Sequence, residues 1–176
     1  MRFGAHLPLG ALGDHETSGH ELVAYAEQAE ELGFAVLGAN DHIVFTRPWL
    51  DCLTSLAAVA GSTQTIKLMT TVALPVVRGP VQLAKALSTL ATLSNGRVLA
   101  GVGPGSHRGD YQAAGVEFDE RWPRFDEAIR ALRHLLGATS EPFTGRFYDT
   151  ANIELEPNPK VVARIPIWIS AAGDRT

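Results

Sequence analysis

Short apolar segments alternate with longer amphipathic segments along the chain, and this alternation constrains the fold more than any other feature. The apolar segments cover residues 3–9, 34–38, 66–74, 98–103 and 165–170, and the amphipathic segments cover residues 18–33, 51–62, 80–93 and 119–137. Apolar strands that alternate with helices are typical of a parallel sheet, either open between layers of helices or closed as a barrel. The sequence therefore predicts an α/β fold with four βα units and a fifth strand.

Two parallel architectures fit this number of strands. A (β/α)₈ barrel needs about 250 residues and eight βα units, so the 176 residues would hold only the first four to five units of it, as a single domain. A doubly wound five-stranded sheet would fit the same length with no further strands. The alternation alone does not choose between them.

Local signals predict where several elements begin and end. Ser18 and Glu21 form a capping-box pattern at the start of the first helix, and Gly33 is a natural end for it. Pro80 suits the first turn of the third helix. Residues 143–155 are interpreted as a short hairpin before the last strand.

Composition argues against several classes of partner. The net charge is −4 and no run of like charges occurs, so neither nucleic acid nor an anionic membrane is indicated. No apolar segment reaches the ~18 residues of a membrane span, and no signal peptide is visible, so we expect a cytoplasmic protein. Cys52, the single cysteine, cannot form an internal disulfide or a metal cluster and is expected to be a buried thiol.

Candidate functional residues follow the predicted strands, because parallel α/β folds bind ligands at the carboxyl ends of their strands. Asp41 and His42 follow the second strand and form a pair that could move protons, since imidazole titrates near neutrality and a carboxylate can set its tautomer. The alternative is an aspartate that caps the next turn beside a packed histidine. His6, on the first strand, either points into the barrel mouth or, more simply, is a core histidine.

The fourth strand runs into a glycine-rich loop at residues 101–109, whose backbone can approach a phosphate or a planar ring closely. The loop matches neither the dinucleotide fingerprint nor a P-loop. His107 and Arg108 in it could offer a proton donor and a cation, or could be solvated. Small residues after the fifth strand, followed by Arg175 and Thr176, would suit phosphate binding.

Taken together, these segments resemble the luciferase-like monooxygenase family, which includes many deazaflavin-dependent oxidoreductases. The most specific stretch is 74–105, with its proline, its Ala-Lys and Thr-Leu pairs, Ser94-Asn-Gly-Arg97 and Gly101-Val-Gly-Pro-Gly105. Arg2-Phe-Gly, 29–34, Asp41-His42, the 115–121 stretch and 166–169 match in the same order. The resemblance implies a TIM barrel of the luciferase-like type.

The resemblance also implies roles for single positions. Asp41 and His42 match a pair that lies beside the flavin or deazaflavin ring and assists proton transfer. Thr71 and Val72 match the site of a non-proline cis peptide that backs the ring. The remaining cofactor-binding positions lie in two loops: Gly103, Pro104, Gly105 and Ser106 along the cofactor, and Ala171, Ala172 and Gly173 at its phosphate.

The function implied is oxidoreduction, with hydride passing between coenzyme F420 and a small organic substrate. The glycine-rich openings and the Ala and Arg usage favour F420 over FMN, with which monooxygenation would be the expected reaction. A non-catalytic, cofactor-binding remnant is the alternative from another class. Many deazaflavin dehydrogenases carry an acidic residue where this chain has Ser106, which argues against a sugar-phosphate substrate. No metal site is predicted. Either the chain is a fragment of a longer enzyme, or a homo-oligomer or a second half-barrel is expected to complete the barrel.

Overall fold

The computed structural model describes residues 1, 3–10, 17–157 and 164–170. Its five strands form one parallel sheet in the order β1-β2-β3-β4-β5. The strands are β1 (Gly4–His6), β2 (Val36–Ala39), β3 (Lys67–Thr70), β4 (Val98–Val102) and β5 (Ile167–Ile169).

The strand order decides between the two architectures. A doubly wound sheet reverses direction at a switch point, so that its first strand lies inside the sheet. Here each new strand is added on the same side of the preceding one, and β1 and β5 form the two edges. This uninterrupted order is that of a barrel wound in one direction, so the barrel prediction is confirmed and the doubly wound alternative is wrong.

Six α-helices connect and cover the described strands. They are α1 (Gly19–Glu31), α2 (Cys52–Ala60), α3 (Pro75–Arg78), α4 (Pro80–Leu93), α5 (Arg108–Ala113) and α6 (Arg121–Leu135), and a 3₁₀ turn at Phe118–Glu120 precedes the last. The capping box of α1 is present, with Ser18 and Glu21 bonded reciprocally. None of the described helices is long and apolar enough to cross a membrane.

The core lies between the helices and one face of the sheet. Leu37, Leu68 and Val98 are aligned in register on neighbouring strands and are buried. Since side chains alternate along a strand, Met69 and Leu99 point to the opposite face, where they are only partly buried. Leu56 of α2 and Leu87 of α4 are fully buried in the same core.

Two charged side chains hold the loop that precedes β3 through hydrogen bonds. Arg97, just before β4, donates to the carbonyls of Ser94, Ala60, Thr63 and Ile66 at 2.7–3.0 Å. Glu30 of α1 accepts the backbone N–H groups of residues 64–66 at 2.6–3.1 Å. The arginine of the Ser-Asn-Gly-Arg motif therefore acts here through backbone hydrogen bonds, which fix the start of β3 and β4.

Several boundaries differ from the sequence-based expectation. The predicted third strand ends early: β3 stops at Thr70, and Pro75 begins the short α3, since proline suits the first turn of a helix. The short α5, which begins within the predicted glycine-rich loop and extends past it, was not predicted. Residues 143–155 form only an isolated antiparallel bridge, Thr144 with Asp149, instead of a two-stranded hairpin.

Candidate functional site

Chemically active side chains gather at the carboxyl ends of the strands. His6 lies at the end of β1, Asp41 and His42 follow β2, and Thr71 follows β3. His6 is exposed and its Nε2 lies 3.1 Å from Thr71 Oγ1, so the expectation of a core histidine is wrong. The end of β1 is open to solvent on this side, which leaves the imidazole beside Thr71 instead of beneath a helix.

Asp41 is buried and is bound by the segment that follows β3. Arg78 of α3 donates from Nε to Asp41 Oδ2 at 2.6 Å and from its terminal nitrogen to Oδ1 at 2.5 Å. The backbone N–H of Leu74 also donates to Oδ2, at 3.1 Å. The Asp41 carboxylate is therefore fully engaged in fixing the β3–α3 connection, and it makes no hydrogen bond to His42 among the described contacts.

Arg78 bridges two carboxylates, since it also donates to Asp51, the N-cap of α2. Burial by itself would raise the pKa of Asp51, but the hydrogen bond from Arg78 and those from Thr54 outweigh it and hold this pKa below its usual value. Arg78 consequently joins the ends of β2 and β3 to the start of α2.

His42 pairs with a carboxylate that lies 68 residues further along the chain. Its Nδ1 lies 2.9 Å from Oδ2 of Asp110, on α5, whose side chain is only 1% exposed. Burial would raise the pKa of Asp110, but hydrogen bonds from the backbone N–H of Val44, from His42 and from the N–H of Ile43 lower it below its usual value. Asp110 is therefore an anion at neutral pH and acts only as an acceptor.

Aromatic rings hold the imidazole of His42 in place. Phe45 stacks on it with ring centroids 4.3 Å apart, and Trp49 and His107 approach edge-on at 5.8 Å. His107 Nδ1 lies 3.6 Å from the same Asp110 oxygen, which is too long for a hydrogen bond. The His42, His107 and Asp110 ligand atoms lie close enough together to hold a metal ion, but the short bond between His42 and Asp110 already explains the two groups as a histidine–carboxylate pair.

The backbone after β3 forms the floor between these side chains. The Thr71–Val72 peptide bond is cis, at the position that the family resemblance implies. A methyl group on Gly103 would lie 2.8 Å from Val72 Cγ2, so glycine at the end of β4 lets that side chain lie directly against the backbone. Gly103 N–H donates to the Ala73 carbonyl at 3.1 Å, which ties the two segments together.

The glycine-rich loop continues along this floor. Gly105 has φ of +74°, a conformation that favours glycine, and packs against Leu74. Tyr111 donates its hydroxyl proton to the Pro104 carbonyl, which fastens the loop to α5. Ser106 is exposed, and Arg108 is exposed and stacks on Phe118. Neither side chain makes a described contact with His42.

A planar cofactor fits these residues. Three of the buried side-chain polar atoms that lack a partner within the described residues belong to this end of the sheet: Asn40 Oδ1, Trp49 Nε1 and His107 Nδ1. The side chains of Val72 and Leu74 pack directly against the backbone at Gly103 and Gly105, which leaves an apolar floor. Unpaired polar atoms at the same end of the sheet as an apolar floor are what a planar ligand with hydrogen-bonding edges would require.

The structure thus brings His42, Thr71, Val72 and Gly103 to one end of the sheet, as expected. Asp41 and His42 are hydrogen-bonded to different partners, Asp41 to Arg78 and His42 to Asp110. Ala171, Ala172 and Gly173 lie outside the described residues. Sequence reasoning missed Asp110 and Arg78. The signal that could have found Asp110 is an acidic residue in a loop already suspected of binding a ligand.

Several known proteins are similar to this chain in sequence and fold. A sequence model of the luciferase-like monooxygenase family matches residues 1–176. An F420-dependent glucose-6-phosphate dehydrogenase of Amycolatopsis mediterranei is 33% identical over 163 residues, which cover 87% of this chain and 48% of that protein. An F420-dependent hydroxymycolic acid dehydrogenase of Mycobacterium tuberculosis is 33% identical over 165 residues, which cover 88% of this chain and 44% of that protein.

Among solved structures, the monooxygenase RslO1 of Streptomyces bottropensis superimposes with a TM-score of 0.76 at 28% identity, over 96% of this chain and 53% of that one. The chain spans about half the length of the curated relatives it matches. The likeness confirms the predicted fold class.

Proposed function

The chain belongs to the luciferase-like monooxygenase family, and on that premise we propose that it is part of an F420-dependent oxidoreductase. The reaction is hydride transfer between the cofactor and a small organic substrate. The two similar dehydrogenases named above are both described as F420-dependent, which favours F420 over FMN for this chain.

One observation carries the proposal. His42 is held by a buried carboxylate at Nδ1 and has no described hydrogen bond at Nε2. It lies at the strand ends whose floor is Val72 packed against the backbone of Gly103. A planar ring needs such a floor, and a redox reaction that moves a hydride needs a proton donor or acceptor beside it. Both requirements meet at this end of the sheet.

We assign each residue of the site a role in cofactor binding or in proton transfer. The cofactor, when bound, supplies the hydride chemistry. Thr71, Val72 and the 103–106 segment would hold its ring, and the 171–173 segment would hold its phosphate. His42 gives a proton to the substrate oxygen when a carbonyl is reduced, or takes it when an alcohol is oxidised. Asp41, the residue before His42, supports catalysis because Arg78 and the Leu74 N–H fix its side chain and so the start of the His42 loop.

The substrate class follows from the side chains around His42. Ile43, Val44 and Phe45 are each about 40% exposed on the loop after β2. An apolar mouth of this kind favours a small alcohol or carbonyl compound. The neutral Ser106, which stands where many deazaflavin dehydrogenases carry an acid, is a further reason not to propose a sugar phosphate.

We also propose that this chain is the N-terminal portion of a barrel that a second half-barrel or a second copy completes. Phe3 next to β1 is 63% exposed, and Trp168 and Ile169 of β5 are 58% and 54% exposed, all at the open edges of the sheet. Unpaired edges with apolar side chains favour a covering partner. Sedimentation tests this: a cooperatively folded, monomeric 176-residue species would contradict it. A cytoplasmic location stays a prediction from the sequence.

The experiment is a fluorescence titration of the protein with F420 and, separately, with FMN, followed by turnover with reduced F420 and a panel of small alcohols and carbonyls. We expect saturable micromolar binding of F420. Preferential binding of FMN with oxygen consumption would replace the proposal with a flavin monooxygenase, and binding of F420 without turnover on any substrate would favour the non-catalytic alternative.

His42→Ala tests the assigned proton transfer. We expect turnover to fall at least about tenfold, since a positioned acid or base contributes roughly 10²–10⁴-fold, while the F420 dissociation constant stays within about twofold. His20→Ala is the matched control, because His20 is an exposed histidine on α1. Equal rates in the two variants would remove His42 from the mechanism.

A further inference from the structure

Asp110 is a buried carboxylate whose contacts all converge on the loop that carries His42. Its Oδ1 accepts the backbone N–H groups of Ile43 and Val44 at 2.7 and 2.9 Å, and its Oδ2 lies 2.9 Å from His42 Nδ1. With two N–H donors on one oxygen and 1% exposure, the carboxylate is fixed in position and orientation. Its remaining oxygen can only accept a hydrogen bond from the imidazole.

From this geometry we infer that Asp110 is a positioning residue that sets the tautomer of His42. Because Oδ2 accepts, His42 Nδ1 must carry the proton, and the neutral imidazole then keeps its lone pair on Nε2. No described residue bonds to Nε2, which is therefore the nitrogen left for the substrate. The tautomer follows from these contacts alone. Only the expected effect of Asp110 on turnover rests on the proposed function.

Asp110 also fixes the direction in which the imidazole points. The carboxylate holds the ring at Nδ1, and Phe45 covers one ring face at 4.3 Å. The same carboxylate holds the backbone of the two residues that follow His42. Asp110 thus positions both the ring and the loop from a helix, and a site supported from a rigid element is more precise than one on a free loop.

His107 is the other titratable group that faces this carboxylate. Its Nδ1 is buried and unpaired among the described residues, 3.6 Å from Oδ2. It cannot replace His42 at that distance, and the shorter contact assigns the oxygen to His42. The remaining nearby carboxylate, Asp41, is engaged by Arg78 and Leu74.

The first measurement is the tautomer of His42 in the unaltered protein. It is obtained from the ¹⁵N chemical shifts of the ring in two-bond ¹H–¹⁵N spectra, recorded at a pH at which the ring is neutral. The signals are assigned by comparison with the His42→Gln variant. We expect protonated Nδ1 and unprotonated Nε2. The opposite tautomer would overturn the inference without recourse to any further variant.

Asp110→Asn then tests the cause. The amide has nearly the shape of the carboxylate and keeps one oxygen for the Ile43 and Val44 N–H groups, but it presents an NH₂ group to His42. We expect the ring to switch to the Nε2-protonated tautomer, and kcat to fall at least about tenfold while KM and the F420 dissociation constant change less than about threefold. Asp110→Glu, which keeps the anion, should retain the original tautomer, and Asp126→Asn on α6, an exposed aspartate, is the control.

The outcomes separate this inference from the proposed function. A switched tautomer in a protein that never turns over F420 would keep the positioning role and contradict the proposed function. Turnover that persists unchanged in Asp110→Asn, or an unchanged tautomer in that variant, would overturn the positioning role even if the protein is an F420-dependent enzyme.

Discussion

Asp41→Asn tests whether Asp41 acts by holding the structure or by transferring a proton. Sequence reasoning paired Asp41 with His42, whereas the structure pairs it with Arg78 through two hydrogen bonds of 2.5 and 2.6 Å. Asn has one oxygen to accept from Leu74 and turns an NH₂ group toward the guanidinium. The variant therefore removes the charge that Arg78 faces but keeps the shape of the side chain.

The expected loss can be estimated from the burial of the pair. Breaking a buried ion pair by removing one partner costs about 3–5 kcal/mol, because the other charge stays uncompensated. Arg78 keeps Asp51 as a second carboxylate and its side chain is 16% exposed, so we expect a loss at or just below the lower limit of that range, about 2–3 kcal/mol. For a chain of this length that corresponds to a decrease in Tm of about 4–12 °C.

Urea unfolding of the variants Asp41→Asn, Arg78→Met and the double variant measures the pair directly. A thermodynamic cycle should give a coupling energy above about 1 kcal/mol, since the double variant leaves no buried charge alone. Asp119→Asn is the control, because its ion pair with Arg108 is mostly exposed and is expected to change stability by less than about 0.5 kcal/mol. Unchanged stability in Asp41→Asn together with a tenfold loss of turnover would refute this reasoning and make Asp41 a direct participant in proton transfer.

Two further predictions concern stability. A methyl group on Gly101 would lie 2.1 Å from the Thr70 carbonyl oxygen of the neighbouring strand, so Gly101→Ala should lower the free energy of unfolding by at least about 2 kcal/mol. Gly61→Ala is the control, because a methyl group there meets no atom within 4 Å and should leave the free energy of unfolding unchanged or raise it slightly. Equal effects of the two substitutions in urea unfolding would contradict the packing argument. Burial would raise the pKa of Glu30, but the N–H groups of residues 64–66 lower it from 4.5 to about 2. The stabilisation from Glu30 is therefore complete above pH 4.5 and is lost as the pH falls toward 2. Because solvent screens this largely exposed carboxylate, we expect less than the full shift would give: Glu30→Gln should reduce the free energy of unfolding by about 1–2 kcal/mol at pH 6 and by much less at pH 2.5. A difference that does not depend on pH would contradict this.

The sequence predicted those parts of the fold that depend on neighbouring residues. Helix α4 begins at Pro80 and ends at Leu93, as expected, because proline suits its first turn and Asn95 and Gly96 take positive φ just after it. Helix α5 was missed because its first residues, Arg108 and Gly109, continue a glycine-rich run that reads as a loop. The helix forms where the Asp110 side chain binds the loop that follows β2, and this long-range contact is not visible in the local sequence pattern.

The site was predicted in position but not in its pairing. The strand-end rule placed His42 and Gly103 at one edge, because parallel strands all end there. The pairing of Asp41 with His42 failed for a geometric reason, since consecutive residues after a strand point in different directions. The partners that the structure shows, Arg78 and Asp110, lie 37 and 68 residues away, and only the three-dimensional arrangement brings them together.

Both long-range pairs act on the same short segment, and this explains why two buried carboxylates occur next to one histidine. Asp41, the residue before His42, is anchored to α3, and Ile43 and Val44, the residues after it, are anchored to Asp110 on α5. His42 therefore sits on a loop whose backbone is fixed from both sides by helices that follow other strands. A loop that carries a proton-transferring group must hold that group within a fraction of an ångström of the reacting atom, and these two carboxylates supply that restraint where the strand itself has already ended.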